Sequence, residues 1–121
     1  GRPLGVYYRI DRQSVVDVQA AIFHTGAAYV SANVHSGWNV KRMKDAPTHK
    51  TLPVITPSAK VAGGHAFALV GYNDVGFVVQ NSWGPDWGAS GFAVLPYEDW
   101  GANGTDAWVV ALGAPVSRGV R

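Results

Sequence analysis

The sequence predicts an α+β fold, in which one N-terminal helix precedes a curled antiparallel β-sheet or half-barrel. Three observations predict this class. Only residues 14–24 carry apolar side chains at helical spacing. Four strand-like runs follow later, with turn-forming residues between them. The 15 glycines and 7 prolines favour a β-rich fold over a helical bundle. The length of 121 residues fits one hydrophobic core, so we expect residues 1–121 to form a single domain.

The first third of the chain predicts a strand, a helix and a second strand. Residues 6–10 ("VYYRI") are typical of a short strand. Ser14 can cap the helix at 14–24, because its hydroxyl can accept a hydrogen bond from a free amide of the first turn. Gly26 suits the left-handed position that ends a helix. The β-branched and small residues at 27–34 predict a buried strand.

The rest of the chain predicts a long loop followed by hairpin-connected strands. Residues 36–62 contain turn formers and three prolines, and predict a loop with one weak strand near 52–56. Asn73 and Asp74 before Gly76 are a turn signal that joins two strands into a hairpin. The predicted strands cover residues 65–72, 76–82, 90–96 and 106–112.

Charge and composition exclude several classes of partner. The net charge of +2 is too small to indicate binding to nucleic acid or to an anionic membrane. The only concentrated basic run, residues 41–50, lacks helical periodicity and is interpreted as a solvated loop. No apolar run approaches the ~18 residues of a membrane span. The absence of cysteine excludes disulfides and thiolate zinc sites. We therefore expect no nucleic-acid and no membrane partner.

The chain has four histidines, and three of them are interpreted as structural or surface residues. His24 lies near the end of the predicted helix, where a partial positive charge is favourable. His35 and His49 lie in predicted loops. None of the four pairs with another histidine or a nearby carboxylate at metal-ligand spacing, so the sequence predicts no metal site and no cofactor.

His65 is different because of its place in the chain. It opens a predicted strand after two glycines, a position from which an imidazole can act as a general base. Such a base needs a second group that fixes its tautomer and ring plane. Asn81 follows across a hairpin, and its side-chain oxygen could accept a hydrogen bond from the imidazole. Trp83 could cover that bond. Spacing alone leaves a purely structural role open, since strand-end histidines and turn asparagines are common.

The segments "GGHAFALVGYN" and "GFVVQNSWGPDWGASGFAVL" resemble the second half of a papain-family cysteine peptidase. That family carries a histidine at the start of "HAV-x-x-VGY" and, one hairpin later, "NSWG-x-x-WG-x-x-GY". Weaker similarity extends to the helix at 14–24 and to the closing strand at 106–112, which resembles bacterial members. The matching residues are His65, Ala66, Val70, Gly71, Tyr72, Asn81, Ser82, Trp83, Gly84, Trp87, Gly88, Gly91 and Phe92.

The resemblance implies a role for each residue of the candidate site. His65 would be the general base and the imidazolium partner of a thiolate, Asn81 would orient it, and Trp83 would shield the pair. Ala66 would line the pocket for the substrate's second side chain before the cleaved bond. Gly64 belongs to the same substrate-binding wall. The family usually keeps a larger residue there, so substrate preference cannot be carried over.

The resemblance also implies that half of the active site is missing. The family needs a nucleophilic cysteine, and a glutamine with a backbone amide as oxyanion hole. This chain has no cysteine, and Gln13, Gln19 and Gln80 stand in unrelated contexts. We therefore expect a cysteine-bearing N-terminal half, in the same precursor or as a separate chain, with its nucleophile about 65–70 residues before Gly1. Alone, this chain should not cleave a peptide or protein substrate.

Two other functions stay open at this level. The chain could be a non-catalytic papain-fold module that binds a peptide or a partner protein. It could also belong to an effector- or toxin-type acyl transferase or deamidase, because these reactions share the acyl-enzyme step. If it is half of an enzyme, the face around His65, Asn81 and Trp83 should expose an apolar patch. A serine nucleophile is disfavoured, because a triad serine needs its own elbow or oxyanion geometry, and Ser82 should point away from His65 since side chains alternate along a strand. Those candidates are Ser36, Ser58, Ser82 and Ser90.

Overall fold

A computed structural model describes residues 5–43 and 51–112 of the chain. Within these ranges, six strands, two α-helices and one short 3-10 helix follow one another. Their bounds are β1 Gly5–Arg9, α1 Val15–Thr25, β2 Ala28–His35, the 3-10 helix Ser36–Trp38, β3 Val61–Tyr72, β4 Gly76–Gln80, β5 Phe92–Pro96, α2 Tyr97–Asn103 and β6 Gly104–Leu112.

The six strands form one antiparallel sheet in the order β1-β6-β2-β3-β4-β5. The predicted α+β class with an antiparallel sheet is confirmed. The sheet is not closed within the described residues, where β1 and β5 are its edges. The predicted place of the last strand is wrong, because β6 does not pair with β5. It lies between β1 and β2 and pairs with both, so β6 joins the two strands that flank α1.

The second helix, α2, is absent from the sequence prediction, which contains only one helix. It has seven residues and begins after Pro96, which makes no side-chain capping bond. Such a short segment carries too few apolar positions to show a helical period. The helix matters for the topology, because it connects the edge strand β5 to β6 in the interior of the sheet.

Helix α1 forms as its capping residues predict. The Ser14 hydroxyl accepts a hydrogen bond from the Asp17 amide at 3.2 Å. Gly26 adopts a left-handed φ of 91° and donates its amide to the Ile22 carbonyl at 2.8 Å. Val18 and Ile22, four residues apart, are the buried residues of this helix. No helix among the described residues is long and apolar enough to span a membrane.

The core includes buried residues of both α-helices, of the 3-10 helix and of strands β2 to β6, and α1 packs against β2, β3 and β6. Strand β2 alternates as a half-buried strand should, with Ala28, Val30 and Ala32 buried and Tyr29 exposed. Strand β4 differs, since residues 76–79 are all buried. Both faces of β4 are therefore covered, and β4 pairs with β3 along one edge and with β5 along the other.

The hairpin between β3 and β4 follows the predicted turn chemistry. The Asn73 side-chain oxygen accepts hydrogen bonds from the Val75 amide at 2.8 Å and the Gly76 amide at 3.1 Å. The register pairs Ala68 with Gln80. The chain therefore leaves β4 at Gln80, opposite the middle of β3. The prediction that His65 opens this strand is wrong, because β3 begins at Val61 and its first residues pair with β2.

The weak strand that the sequence predicts near 52–56 does not form as a regular strand. Val54 forms an isolated parallel bridge to Val94, and no strand covers 52–56 in the part that the structure describes. Residues 44–50, with His49 and most of the predicted basic loop, lie outside the described residues.

Candidate active site

His65 and Asn81 meet at the open end of the β3–β4 hairpin. The Nε2 atom of His65 lies 2.8 Å from the Oδ1 atom of Asn81. His65 is half-buried on β3, and Asn81 follows directly after the last residue of β4. The backbone at Asn81 is fixed by a hydrogen bond from the Asn81 backbone amide to the Gly91 carbonyl at 2.8 Å. The two residues therefore face the same side of the sheet.

A second hydrogen bond fixes the tautomer of His65. The Ser82 backbone amide donates to the same Asn81 Oδ1 atom at 2.9 Å. An amide N–H can donate only to an acceptor, so the atom that faces His65 is the carbonyl oxygen of the carboxamide. The His65 Nε2 must then carry the proton and donate it. The Nδ1 atom keeps a lone pair, which is what a general base needs.

Aromatic rings enclose the imidazole on several sides. The Trp83 ring lies 4.6 Å from the His65 ring, tilted by 33°, and its side chain stays 46% exposed. The Phe67 ring stacks at 5.6 Å, two residues further along β3. The Trp38 ring meets the imidazole edge-on at 6.0 Å. Trp83 thus lies against the His65 ring.

The glycines of the segment "NSWGPDWG" have conformational reasons. Gly84 has φ 100° and Gly88 has φ 58°, both in the left-handed region. A Cβ atom on Gly88 would meet the Phe92 carbonyl oxygen at 2.4 Å. The tight turns direct Trp87 inward, where its indole donates to the Trp38 carbonyl at 2.6 Å. The segment thus packs Trp87 as a support and leaves Trp83 at the surface.

A cleft of about 600 Å³ opens beside Ala66. Its floor and walls are mostly apolar, and it reaches Asn81 at one end. Of the two predicted substrate-binding residues, Ala66 lines this cleft. Gly64 is exposed and has open space where a side chain would be, but does not line the cleft. The lining residues are Tyr29, Val30, Ser31, Ala66, Phe67, Ala68, Gln80, Asn81, Ser82, Asp106 and Trp108.

Asp106 brings a negative charge to the far side of this cleft. Two hydrogen bonds from Arg9 reach its carboxylate, at 3.0 Å from Nε and 3.3 Å from Nη2. The Arg9 hydrogen bonds are the main cause of a lowered pKa of Asp106, and a hydrogen bond from Trp108 adds to the effect. The carboxyl group is therefore ionised at neutral pH, with its charge balanced by Arg9.

The sequence-based interpretation of His35 as a loop residue is wrong. His35 is the last residue of β2 and is buried, and its Nε2 atom lies 2.6 Å from the Asp99 carboxylate on α2. The sequence gives no signal for this pair, because 64 residues separate its members. His24 lies exposed in the last turn of α1, as predicted. Trp38 is the other residue that the sequence analysis missed, and it contacts both His65 and Trp83.

The described residues contain no group of three or more histidine, cysteine or acidic side chains that could hold a metal ion. Two of the serine candidates are engaged with each other, since the hydroxyls of Ser36 and Ser58 lie 2.7 Å apart. The candidate site thus consists of the hydrogen-bonded pair His65 and Asn81, with the Trp83 ring packed against the imidazole.

A family model supports the class of protein that this pair indicates. The model of the papain family cysteine proteases matches residues 5–110. The chain therefore belongs to the papain family of cysteine proteases.

Two curated proteins match short segments of the chain. An uncharacterised peptidase C1-like protein of Acanthamoeba polyphaga mimivirus is 50% identical over 38 residues, which cover 30% of this chain and 12% of that protein. A cathepsin B-like protein of Giardia intestinalis is 50% identical over 38 residues, which cover 27% of this chain and 13% of that protein.

Solved structures show the same fold over most of the chain. Xylellain, a cysteine protease from Xylella fastidiosa, superposes with a TM-score of 0.68 and 25% identity, over 87% of this chain and 39% of xylellain. The bromelain protease of Ananas comosus gives a TM-score of 0.60 at 15% identity, over 87% of this chain and 49% of bromelain. The chain thus spans less than half the length of these proteases.

Proposed function

We propose that this chain is the histidine- and asparagine-bearing half of a papain-like cysteine peptidase. Combined with a cysteine-bearing half, it would hydrolyse peptide bonds through an acyl-enzyme. The observation that carries the proposal is the 2.8 Å contact between His65 Nε2 and Asn81 Oδ1, in which the Ser82 amide fixes the oxygen as the acceptor. This arrangement leaves the Nδ1 lone pair of His65 free for a thiol.

The reaction follows from that lone pair. The His65 Nδ1 takes the proton of a cysteine thiol, and the thiolate attacks the carbonyl carbon of the substrate. The imidazolium then gives the proton to the leaving amine, and the acyl group stays on sulfur. His65 next takes a proton from water, and the water oxygen attacks the thioester carbon. His65 returns this proton to the sulfur as the carbon–sulfur bond breaks, which releases the acid and restores the thiol. Asn81 keeps the ring plane fixed through both proton transfers.

The neutral partner of His65 suits this chemistry. The Asn81 side-chain oxygen accepts a hydrogen bond from the Nε2–H without adding a negative charge to the site. Because Asn81 is neutral, the thiolate supplies the negative charge that balances the imidazolium. Trp83 lies over the ring and limits the access of water to the His65–Asn81 hydrogen bond.

The groups that stabilise the oxyanion would come from the other half. Gln19 donates its side-chain amide to the Tyr97 hydroxyl at 2.9 Å, so it is committed to packing α1 against α2. Gln80 lies at the end of β4 and lines the cleft from its outer side. Two exposed apolar residues, Val61 at 60% and Trp83 at 46%, line one pocket, and Trp83 also contacts His65, which supports a surface that another half covers. Ala66 would line the cleft that receives a substrate side chain.

The test expresses the chain together with the segment that its gene encodes before Gly1, and follows the hydrolysis of a fluorogenic peptide library. We expect hydrolysis that falls about 10³-fold or more in His65→Ala, since the general base is lost. His24→Ala is the matched control, because His24 is exposed on α1 away from the site, and it should retain full activity.

The same experiment separates the other functions. Acyl transfer to an amine, or release of ammonia from a glutamine side chain without peptide cleavage, would assign the site to a transferase or deamidase. An unchanged rate in His65→Ala would contradict the proposed role of His65 as the general base. A preceding segment without a cysteine, together with no hydrolysis when the chain is mixed with a separate cysteine-bearing half, would contradict the proposal and leave a non-catalytic binding module.

A further inference from the structure

A second buried histidine lies close to the candidate site, and the proposed reaction does not use it. The His35 and Asp99 side chains are 1% and 6% exposed, and 2.6 Å separates His35 Nε2 from Asp99 Oδ2. Burying two ionisable groups is unfavourable unless every polar atom is satisfied. This pair therefore calls for a structural or functional reason.

The hydrogen bonds define the protonation state of His35. The Gly37 amide donates to His35 Nδ1 at 3.1 Å, so Nδ1 carries a lone pair and Nε2 carries the proton. The Nε2–H then donates to the Asp99 carboxylate. The other carboxylate oxygen accepts from the Asn103 side-chain amide at 3.1 Å. Both ring nitrogens of His35 are thus occupied within the protein, which leaves the ring a geometric role.

His35 sets the start of the 3-10 helix Ser36–Trp38. Its ring caps this helix by accepting the Gly37 amide. The helix is tightly seated, since a Cβ atom on Gly37 would lie 1.7 Å from the Thr56 carbonyl oxygen. The helix ends in Trp38, whose ring is 1% exposed. The position of the Trp38 indole therefore depends on the cap that His35 provides.

Trp38 in turn forms one wall around the candidate base. Its ring lies 6.0 Å from the His65 ring and 6.0 Å from the Trp83 ring, both edge-on, and 4.8 Å from Phe67. The torsion that rotates an imidazole about its Cβ–Cγ bond has broad minima, so packing must select the orientation. A displaced Trp38 would give the His65 ring room to turn away from Asn81.

We propose that His35 is a positioning residue for the imidazole of His65. It acts through the Gly37 cap and the Trp38 ring, with Asp99 holding His35 from α2. The result is that His65 keeps its Nε2–H on Asn81 and its Nδ1 lone pair outward. This inference deepens the proposed function, because it names what holds the base in place. Its test reads the His65 ring directly and needs no nucleophile.

The test measures the nitrogen shifts of His65 by long-range ¹H–¹⁵N spectroscopy on the 121-residue chain. The unmodified chain should hold His65 as one Nε2–H tautomer, with ring contacts between Trp38 and His65. His35→Phe fills the space but loses the cap, so the ratio of the Nε2–H to the Nδ1–H tautomer of His65 should fall about fivefold or more. His24→Phe, the same change at an exposed site, should leave the ratio unchanged.

A conservative variant separates positioning from simple stability. In His35→Asn the side-chain oxygen can still cap the 3-10 helix, as asparagine does at helix starts, while the bond to Asp99 is lost. We expect this variant to lose stability yet keep the His65 tautomer of the unmodified chain.

Three outcomes would overturn the inference. The first is a folded His35→Phe chain with an unchanged His65 spectrum. The second is a folded His35→Asn chain in which the His65 ratio falls as far as in His35→Phe. The third needs no variant: a mixture of His65 tautomers in the unmodified chain, or no contact between the Trp38 and His65 rings, would contradict it even if both variants failed to fold. Loss of peptide hydrolysis alone bears only on the proposed function.

Discussion

His65 and His35 hold the same tautomer in opposite surroundings. Each donates its Nε2–H to a side-chain oxygen, at 2.8 Å for His65 and 2.6 Å for His35. His65 is half-buried at the open end of a hairpin, and its acceptor is the neutral amide of Asn81. His35 is 3% exposed, and its acceptor is the carboxylate of Asp99. The local sequence predicts the Asn81 acceptor of His65, but it gives no sign that His35 is buried against a carboxylate.

The difference lies in the second ring nitrogen. The Nδ1 atom of His35 accepts the Gly37 amide, so no nitrogen of that ring is left to take a proton. The Nδ1 atom of His65 has no such bond in the described part of the chain. Burial and a second bond turn one imidazole into a structural connection between β2 and α2. Partial exposure leaves the other imidazole chemically available.

The largest expected effect separates the two histidines by stability. His35→Ala should lower the free energy of unfolding by about 3–5 kcal/mol, because it leaves the Asp99 carboxylate buried without its partner. His65→Ala should cost only about 1 kcal/mol, since Asn81 Oδ1 keeps its bond from the Ser82 amide. Urea unfolding of the isolated chain measures both values.

The control for this comparison is His24→Ala, which removes an exposed histidine and should change the free energy of unfolding by no more than ~0.5 kcal/mol. Equal losses for His35→Ala and His65→Ala would contradict the distinction between a structural and an available imidazole. The reverse order should hold for peptide hydrolysis in the combined enzyme, where His65→Ala is the more damaging change.

The candidate site was predictable because its sequence is local. His65 and Asn81 lie sixteen residues apart on either side of one hairpin, whose turn is signalled by Asn73 and Gly76. The glycines of the tryptophan segment also follow a conformational rule that can be read from sequence. Short-range patterns of this kind place side chains without knowledge of the remaining fold.

Long-range pairing could not be predicted in the same way. His35 meets Asp99 only because α2 carries the chain from β5 to β6, and α2 itself has no helical period. The place of β6 between β1 and β2 likewise depends on contacts between distant segments. Trp38 contacts His65 from the 3-10 helix after β2, so the sequence analysis named the histidine–asparagine pair but not the ring that packs beside it.

Alanine substitutions at Gly37 and Gly64 would compare how tightly the backbone near each histidine is packed. Gly37, beside His35, has no room for a side chain, whereas a Cβ atom on Gly64, beside His65, would meet nothing within 4 Å. Gly37→Ala should therefore cost about 1–3 kcal/mol or more, since backbone must move. Gly64→Ala should stay within ~0.5 kcal/mol. Thermal unfolding of both variants checks this, and a cost at Gly64 that matches Gly37 would show that the mouth of the site is as rigid as its support.

The solvent-accessible ion pair of Arg9 and Asp106 contrasts with the buried His35–Asp99 pair, and its loss should change the free energy of unfolding least. The pKa of Asp106 is lowered in the folded chain, first by the Arg9 hydrogen bonds, so its stabilising contribution is present above the ordinary Asp value of about 3.9 and is lost as the pH falls through the lower folded pKa. Arg9 is 68% exposed, so the contribution is at most about 1 kcal/mol.

Arg9→Gln should accordingly reduce the free energy of unfolding at pH 7, by less in high salt, and the difference from the unmodified chain should vanish in strong acid. Arg42→Gln is the matched control, because Arg42 lies 3.5 Å from Asp86 with both side chains well exposed. Urea unfolding at several pH values measures the difference. A loss in Arg9→Gln that persists unchanged into strong acid would place its cause in the packing of Arg9 over Trp108, where the guanidinium lies 5.4 Å from the ring centre, and not in the charge of Asp106.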